Sequence, residues 1–157
     1  MAAPQLAQLN VARLARPLDH PQLEPFVSAL EEVNAVADRA PGFVWRLQEE
    51  SGNATGLRPW GEDMIVNLSV WTDLASLEAY VYGVAHAAVL KQRRMFFTAM
   101  LSPSLALWWV PDGHRPTMAE AYERLVALES DGPTPYAFTL RTPFGPDDLG
   151  PEAERPA

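Results

Sequence analysis

Residues 21–48 read PQLEPFVSALEEVNAVADRAPGFVWRLQ, and they carry the passage from a helix into a strand that decides the architecture. Over residues 21–40 the apolar side chains Leu23, Phe26, Val27, Leu30, Val33 and Ala37 recur at the three-and-four spacing of one helix face. Pro21 suits a first helical turn, where its missing N–H costs nothing. Pro41-Gly42 stops the helix. The run FVWRLQ (residues 43–48) is then rich in aromatic and β-branched residues, as strands are. One residue is out of place. Asn34 sits in the middle of the helix's apolar face, where a buried amide must find hydrogen-bond partners or cost about 1–3 kcal/mol.

Working outward, residues 6–14 (LAQLNVARL) form a strand ended by Arg16-Pro17, and residues 64–71 (MIVNLSVW) form another. The link over residues 49–63 holds Gly52, Gly56, Pro59 and Gly61. It is long for a compact domain and reads either as a binding loop or as a plain hairpin tip. A second helix starts at Thr72 or Asp73, either a good N-cap, and is expected to run to about Met100. Residues 104–110 (SLALWWV) read as a fourth strand. Thr117 and Glu120 are spaced as a capping box for a third helix ending at Asp131-Gly132. Residues 135–143 suit a short edge strand, and residues 145–157 a disordered acidic tail behind one domain over residues 1–144. The order β-α-β-β-α-β is the split βαβ pattern of an α+β, ferredoxin-like fold. Such a sheet carries both helices on one face and needs its other face covered, most commonly by a symmetric partner.

Composition narrows the function classes. The formal charge is −8, from 12 basic and 20 acidic residues, which repels phosphate backbones and argues against nucleic acid. Zero cysteines exclude disulfides, thiolate metal sites and cysteine nucleophiles. No apolar run reaches the length of a membrane span, and MAAPQLAQLN lacks the features of a secretory signal, so a cytoplasmic protein off the membrane is expected. The sequence holds no HExxH, no GxSxG elbow, no glycine-rich phosphate loop and no metal-ligand spacing of histidines.

The second helix is the informative element. At 100° per residue, Leu77, Val81, Val84, Ala88, Met95 and Ala99 form a core stripe. Tyr82, His86, Val89, Leu90, Arg93, Phe97 and Met100 lie on the opposite side, where a surface helix should be charged. His86 is therefore either a packed core histidine or a pocket acid/base or ligand, since a neutral imidazole can donate at one nitrogen and accept at the other. By two-residue alternation Gln8 and Asn10 share one strand face, and Ile65, Asn67, Ser69 and Trp71 share another. Polar groups among aromatics suit a small-molecule site, or equally the rim of a dimer interface. Of Trp108 and Trp109, one belongs in the core and the other in a pocket or interface.

The runs VNAVADRAPGFVWRLQ (residues 33–48), NLSVW (67–71), YVYGVAHAAVLKQRRMFF (80–97) and LWWVPDGHRPT (107–117) resemble the family known as domain of unknown function 3291. That family is similar to the antibiotic-biosynthesis monooxygenase superfamily of dimeric α/β barrels. The resemblance implies a homodimer with a pocket between each sheet and its helices. In heme-degrading members an asparagine, a tryptophan and a histidine recur. Asn10 and His86 match two of these, while Ala79-Tyr80 stands where the tryptophan would be. No cofactor is the leading expectation, with heme on His86 as the variant. The leading function is an enzyme of specialised metabolism acting on an apolar organic molecule. His86 would be its acid/base or ligand, Asn10, Asn34, Asn67 and Arg93 its polar anchors, and Trp45, Trp71, Tyr82 and Phe97 its aromatic walls. The alternative is a non-catalytic homodimer that binds a metabolite or heme.

Overall fold

A computed structural model describes residues 3–48, 63–82, 96–98 and 104–148. Its centre is β1 (Gln5–Leu14), whose alternating side chains face two different environments. On one side it pairs with β3 (Met64–Trp71), in register from Leu6 opposite Trp71 to Arg13 opposite Met64. The next strand out is β2 (Phe43–Arg46). The other side of β1 is shared by two strands. β5 (Leu105–Val110) pairs with residues Gln5 to Asn10, and the two-residue β4 (Phe97–Thr98) pairs with Arg13 and Leu14. Every pairing is antiparallel. With β5 taken as the fourth long strand, the sequence reading of an α+β, ferredoxin-like sheet holds.

The helices begin and end where local chemistry dictates. A 3-10 turn (Pro21–Leu23) leads into α1 (Glu24–Arg39), and the exposed His20 caps that turn by accepting the Gln22 N–H at Nδ1, 3.0 Å away. The N-cap of α2 (Leu74–Val81) is Asp73, whose carboxylate accepts the Ser76 N–H. That bond holds the Asp73 pKa below its ordinary value. Thr117 caps α3 (Met118–Asp131) by accepting from Glu120 N at 3.1 Å, and Gly132 ends it at φ +73°. The expected capping box closes only halfway. The Glu120 carboxylate turns instead to Trp108 Nε1 (2.8 Å) and His114 Nε2 (2.6 Å).

Two expectations are corrected. The second helix does not continue to Met100, because Phe97 and Thr98 are extended and paired with Leu14 and Arg13. Phe96 and Phe97 are held there by ring contacts with Phe26 of α1, at 5.5 and 5.2 Å between centroids. The edge strand over residues 135–143 shrinks to a bridge between Phe138 and Leu107. Residues 145–148 form a turn that includes a 3-10 segment (Pro146–Asp148), while the rest of the expected tail lies outside the described residues. So does residues 49–62, nearly all of the long link.

The sheet has two unlike faces. On one, Ala7, Leu9, Val11, Leu68, Val70, Ala106 and Trp108 are buried against Ala121, Leu125 and Leu128 of α3, with Tyr136 and Ala137. α3 of the same chain packs on this face. The other face meets α1 and α2. It is apolar at both ends, with Leu6, Trp71 and Leu77 in one cluster and Leu14, Leu23, Phe26, Ile65 and Phe96 in another. Between those clusters it is polar.

Candidate functional site

The polar middle of that face is dictated by strand alternation. Side chains of β1 at positions 6, 8, 10 and 12 point the same way, so Gln8 and Asn10 fall between Leu6 and Ala12. The register sets Ser69 opposite Gln8 and Asn67 opposite Asn10. A cavity of about 460 Å³ opens over these four residues, within the range of small-molecule pockets. Phe26, Leu30, Val33, Asn34 and Ala37 of α1 line its roof, with Leu77, Tyr80 and Val81 of α2.

The polar groups form a ladder across two strands. Ser69 Oγ accepts from Trp71 Nε1 at 2.9 Å and from Gln8 Nε2 at 2.8 Å. Gln8 Nε2 also donates to Asn67 Oδ1 at 3.0 Å. Gln8 and Ser69 are only 6% and 5% exposed, so these bonds are made largely away from water. The ladder is incompletely used. Among the described residues nothing bonds to Gln8 Oε1, to Asn67 Nδ2 or to the side-chain amides of Asn10 and Asn34. All four residues line the cavity. Asn10 and Asn67 are exposed and Asn34 half-buried, so these groups face the open space of the cavity, where a ligand or water can meet them.

At one end of the cavity the Tyr80 ring lies over Trp71, 5.1 Å between centroids and tilted by 31°. Burial raises the Tyr80 pKa above its ordinary value, Arg46 opposes that shift and Asp38 adds to it. The phenol is therefore neutral near pH 7. Arg46 also lines the cavity, and its guanidinium is met by the Asp38 carboxylate at 2.7 Å.

Asn10, Asn34, Asn67, Trp71 and Phe97, all expected at a site, do come together around this void. Two expected walls do not. Trp45 packs on the opposite face of the sheet, toward α3, with the Arg115 guanidinium 5.8 Å from its ring. A β-bulge between Phe43 and Trp45 causes this, pairing Trp45 with Val70 of the α3 face and Arg46 with Ser69 of the cavity face. Tyr82 follows the last residue of α2, is 74% exposed and is not among the residues that line this cavity. His86 and Arg93 lie outside the described residues.

Trp108 is the core member of the tryptophan pair. Trp109 faces the helix side and donates to the Phe144 carbonyl rather than into the cavity. His114 is engaged by Glu120. Arg46 was not singled out by the sequence, and Tyr80 was named only with Ala79 as the place where a tryptophan would stand. The bulge that places Arg46 leaves no composition signal, and Tyr80 sits where the helix wheel had been read for its other residues. No group of three or more His, Asp or Glu among the described residues could hold a metal ion. Heme ligation would fall to His86, outside those residues.

No curated protein matches the chain. Among solved structures, a protein of unknown function from Nitrosomonas europaea is similar, with a TM-score of 0.50 and 14% identity over 74% of this chain and 99% of that one. SnoaB, a cofactor-independent oxygenase from Streptomyces nogalater, aligns at a TM-score of 0.45 and 19% identity over 74% of this chain and 98% of its own. A Pseudomonas aeruginosa protein aligns at 0.48 and 11% over 74% and 99%. The likeness to the first is one of fold. The sequence itself matches the family described as domain of unknown function (DUF3291) over residues 5–154, and the chain belongs to that family.

Proposed function

We propose that the chain is a small-molecule enzyme whose substrate, a largely apolar organic metabolite, lies between the sheet and the two helices. The observation that carries the reading is the 460 Å³ cavity whose polar floor has unspent hydrogen-bonding groups inside apolar walls. Phe26, Leu30 and Phe97 at one end and Trp71 with Tyr80 at the other suit flat apolar rings. The amides of Asn10, Asn34 and Asn67 suit a few oxygens on such a molecule. In this reading His86 is the acid/base, as its imidazole is suited to be near neutral pH, and no cofactor takes part.

The test is a thermal-shift screen of neutral ring-containing metabolites, followed by turnover assays on the compounds that bind. Leu30→Trp, which fills the cavity, should abolish the shifts, and His86→Ala should abolish turnover while leaving binding in place. Shifts that persist in Leu30→Trp would remove the site from this cavity. Binding without turnover in the unaltered protein would leave a carrier or sensor of the same ligand.

A further inference from the structure

We infer that Ser69 sets which molecule the cavity accepts, by offering a hydroxyl proton that no described residue takes. This rests on the cavity being a small-molecule site and names the chemistry of its occupant. A serine hydroxyl has one proton and two lone pairs. At Ser69 both lone pairs are engaged, by Trp71 Nε1 and by Gln8 Nε2. An indole N–H can only donate, which fixes the sense of the first bond. Among the described residues no acceptor lies within hydrogen-bond reach of the Ser69 proton, and the residue borders the void. The proton therefore points into it.

The same polarity runs along the ladder. Gln8 directs both its N–H bonds to Ser69 Oγ and Asn67 Oδ1, which leaves Oε1 as an acceptor. Asn67, accepting at Oδ1, keeps Nδ2 as a donor. The floor thus presents donor, acceptor and donor at Ser69, Gln8 and Asn67. A matching molecule carries a hydroxyl beside a carbonyl oxygen. It is also uncharged along this edge, because the guanidinium of Arg46 is already matched by Asp38. Turning the Gln8 amide alone would set two carbonyl oxygens, its own and that of Asn67, against each other. Only Gln8 and Asn67 turning together would reverse the pattern, and Ser69 would then give its proton to Gln8.

Four probes test this by titration: 3-hydroxyflavone (hydroxyl beside carbonyl), flavone (carbonyl alone), flavan (no carbonyl) and a flavone carboxylate. The unaltered protein should bind the first two, with flavan and the carboxylate about tenfold weaker or more. Ser69→Ala should weaken flavone about tenfold, and Ser69→Thr, which keeps the hydroxyl, should restore it. Equal affinity for flavone and flavan, an unchanged flavone Kd in Ser69→Ala, or preference for the carboxylate would each overturn the inference while leaving the cavity reading intact. The flavone-to-flavan comparison needs no variant, so it decides the matter even if Ser69→Ala fails to fold. No binding of any probe to the unaltered protein, or binding undiminished in Leu30→Trp, would overturn both.

Discussion

Arg46 reaches from β2 to the end of α1 and grips Asp38 with two nitrogens, Nε to Oδ1 at 2.7 Å and Nη2 to Oδ2 at 3.3 Å. The arginine side chain is 10% exposed and the aspartate 43%, so the pair is half in water. Breaking a fully buried pair costs about 3–5 kcal/mol, and exposed pairs are worth less than about 1 kcal/mol. Asp38→Asn should therefore cost about 1–2 kcal/mol by urea denaturation. It should also remove one negative charge that faces the guanidinium at the cavity wall. We expect carboxylate-bearing ring compounds to bind Asp38→Asn more tightly than the unaltered protein. Unchanged affinity would mean that this cation does not act on the void.

Tyr80 supplies a pH dependence with a definite sign. Its pKa is raised above the ordinary value near 10, chiefly because burial disfavours the phenolate. In the unfolded chain the phenol loses its proton at the ordinary value. The folded state holds that proton to higher pH. The contribution to stability is thus complete below pH 10 and is lost as the pH rises through the folded-state pKa. Absorbance titration near 295 nm should show one late-ionising tyrosine that disappears in Tyr80→Phe. The loss of stability above pH 10 should be shallower in that variant.

How much of this was legible beforehand depends on the range of the cause. Alternation along residues 6–14 and 64–71 is local, and it placed Gln8 and Asn10 on one face of β1, and Asn67, Ser69 and Trp71 on one face of β3. The register then brought the two sets together. Asn34 was visible as a polar residue in an apolar helix face, and it does line the void. What failed was set at a distance or by irregularity. The bulge in β2 turned Trp45 away, and regular alternation cannot anticipate a bulge. The helical pattern through Phe97 was overruled by pairing with Leu14, a residue far away in sequence. That Ala121, Leu125 and Leu128 of α3 pack on the sheet was not legible either, since an amphipathic helix does not say which apolar surface it will meet.

The link between α3 and the sheet should be measurable at two strengths. Thr117 satisfies one amide at an exposed helix start, so Thr117→Ala should cost about 1 kcal/mol. Glu120 holds the indole N–H of Trp108, a residue with no exposed surface. Glu120→Ala leaves that donor buried without its partner and should cost about 1–3 kcal/mol. Urea titration with an unchanged slope would report stability alone. Equal losses in the two variants would show that water replaces the carboxylate at Trp108.

The corner between α1 and β2 should be among the least tolerant half-buried positions in the fold. Gly42 has φ +83°, a conformation that side-chain-bearing residues rarely adopt. Its carbonyl accepts the Thr72 N–H at 2.8 Å, tying this corner to the one between β3 and α2. A Cβ on Gly42 would collide with the Cβ and Oγ of Ser76 and come within 2.7 Å of Thr72 Oγ1. Ser76 cannot swing far, because its N–H is held by the Asp73 cap. Backbone strain alone costs on the order of 1–3 kcal/mol, and the collision adds to it. Gly42→Ala should therefore lose about 3 kcal/mol or more. Gly42→Ala with Ser76→Gly removes the collision with Ser76 but neither the close approach to Thr72 Oγ1 nor the strain, and should regain only part of that loss. Because Phe43 follows directly and lines the cavity, the single variant should also bind ring compounds more weakly than its remaining folded fraction explains. A variant that kept full stability would show that the two corners are not locked together.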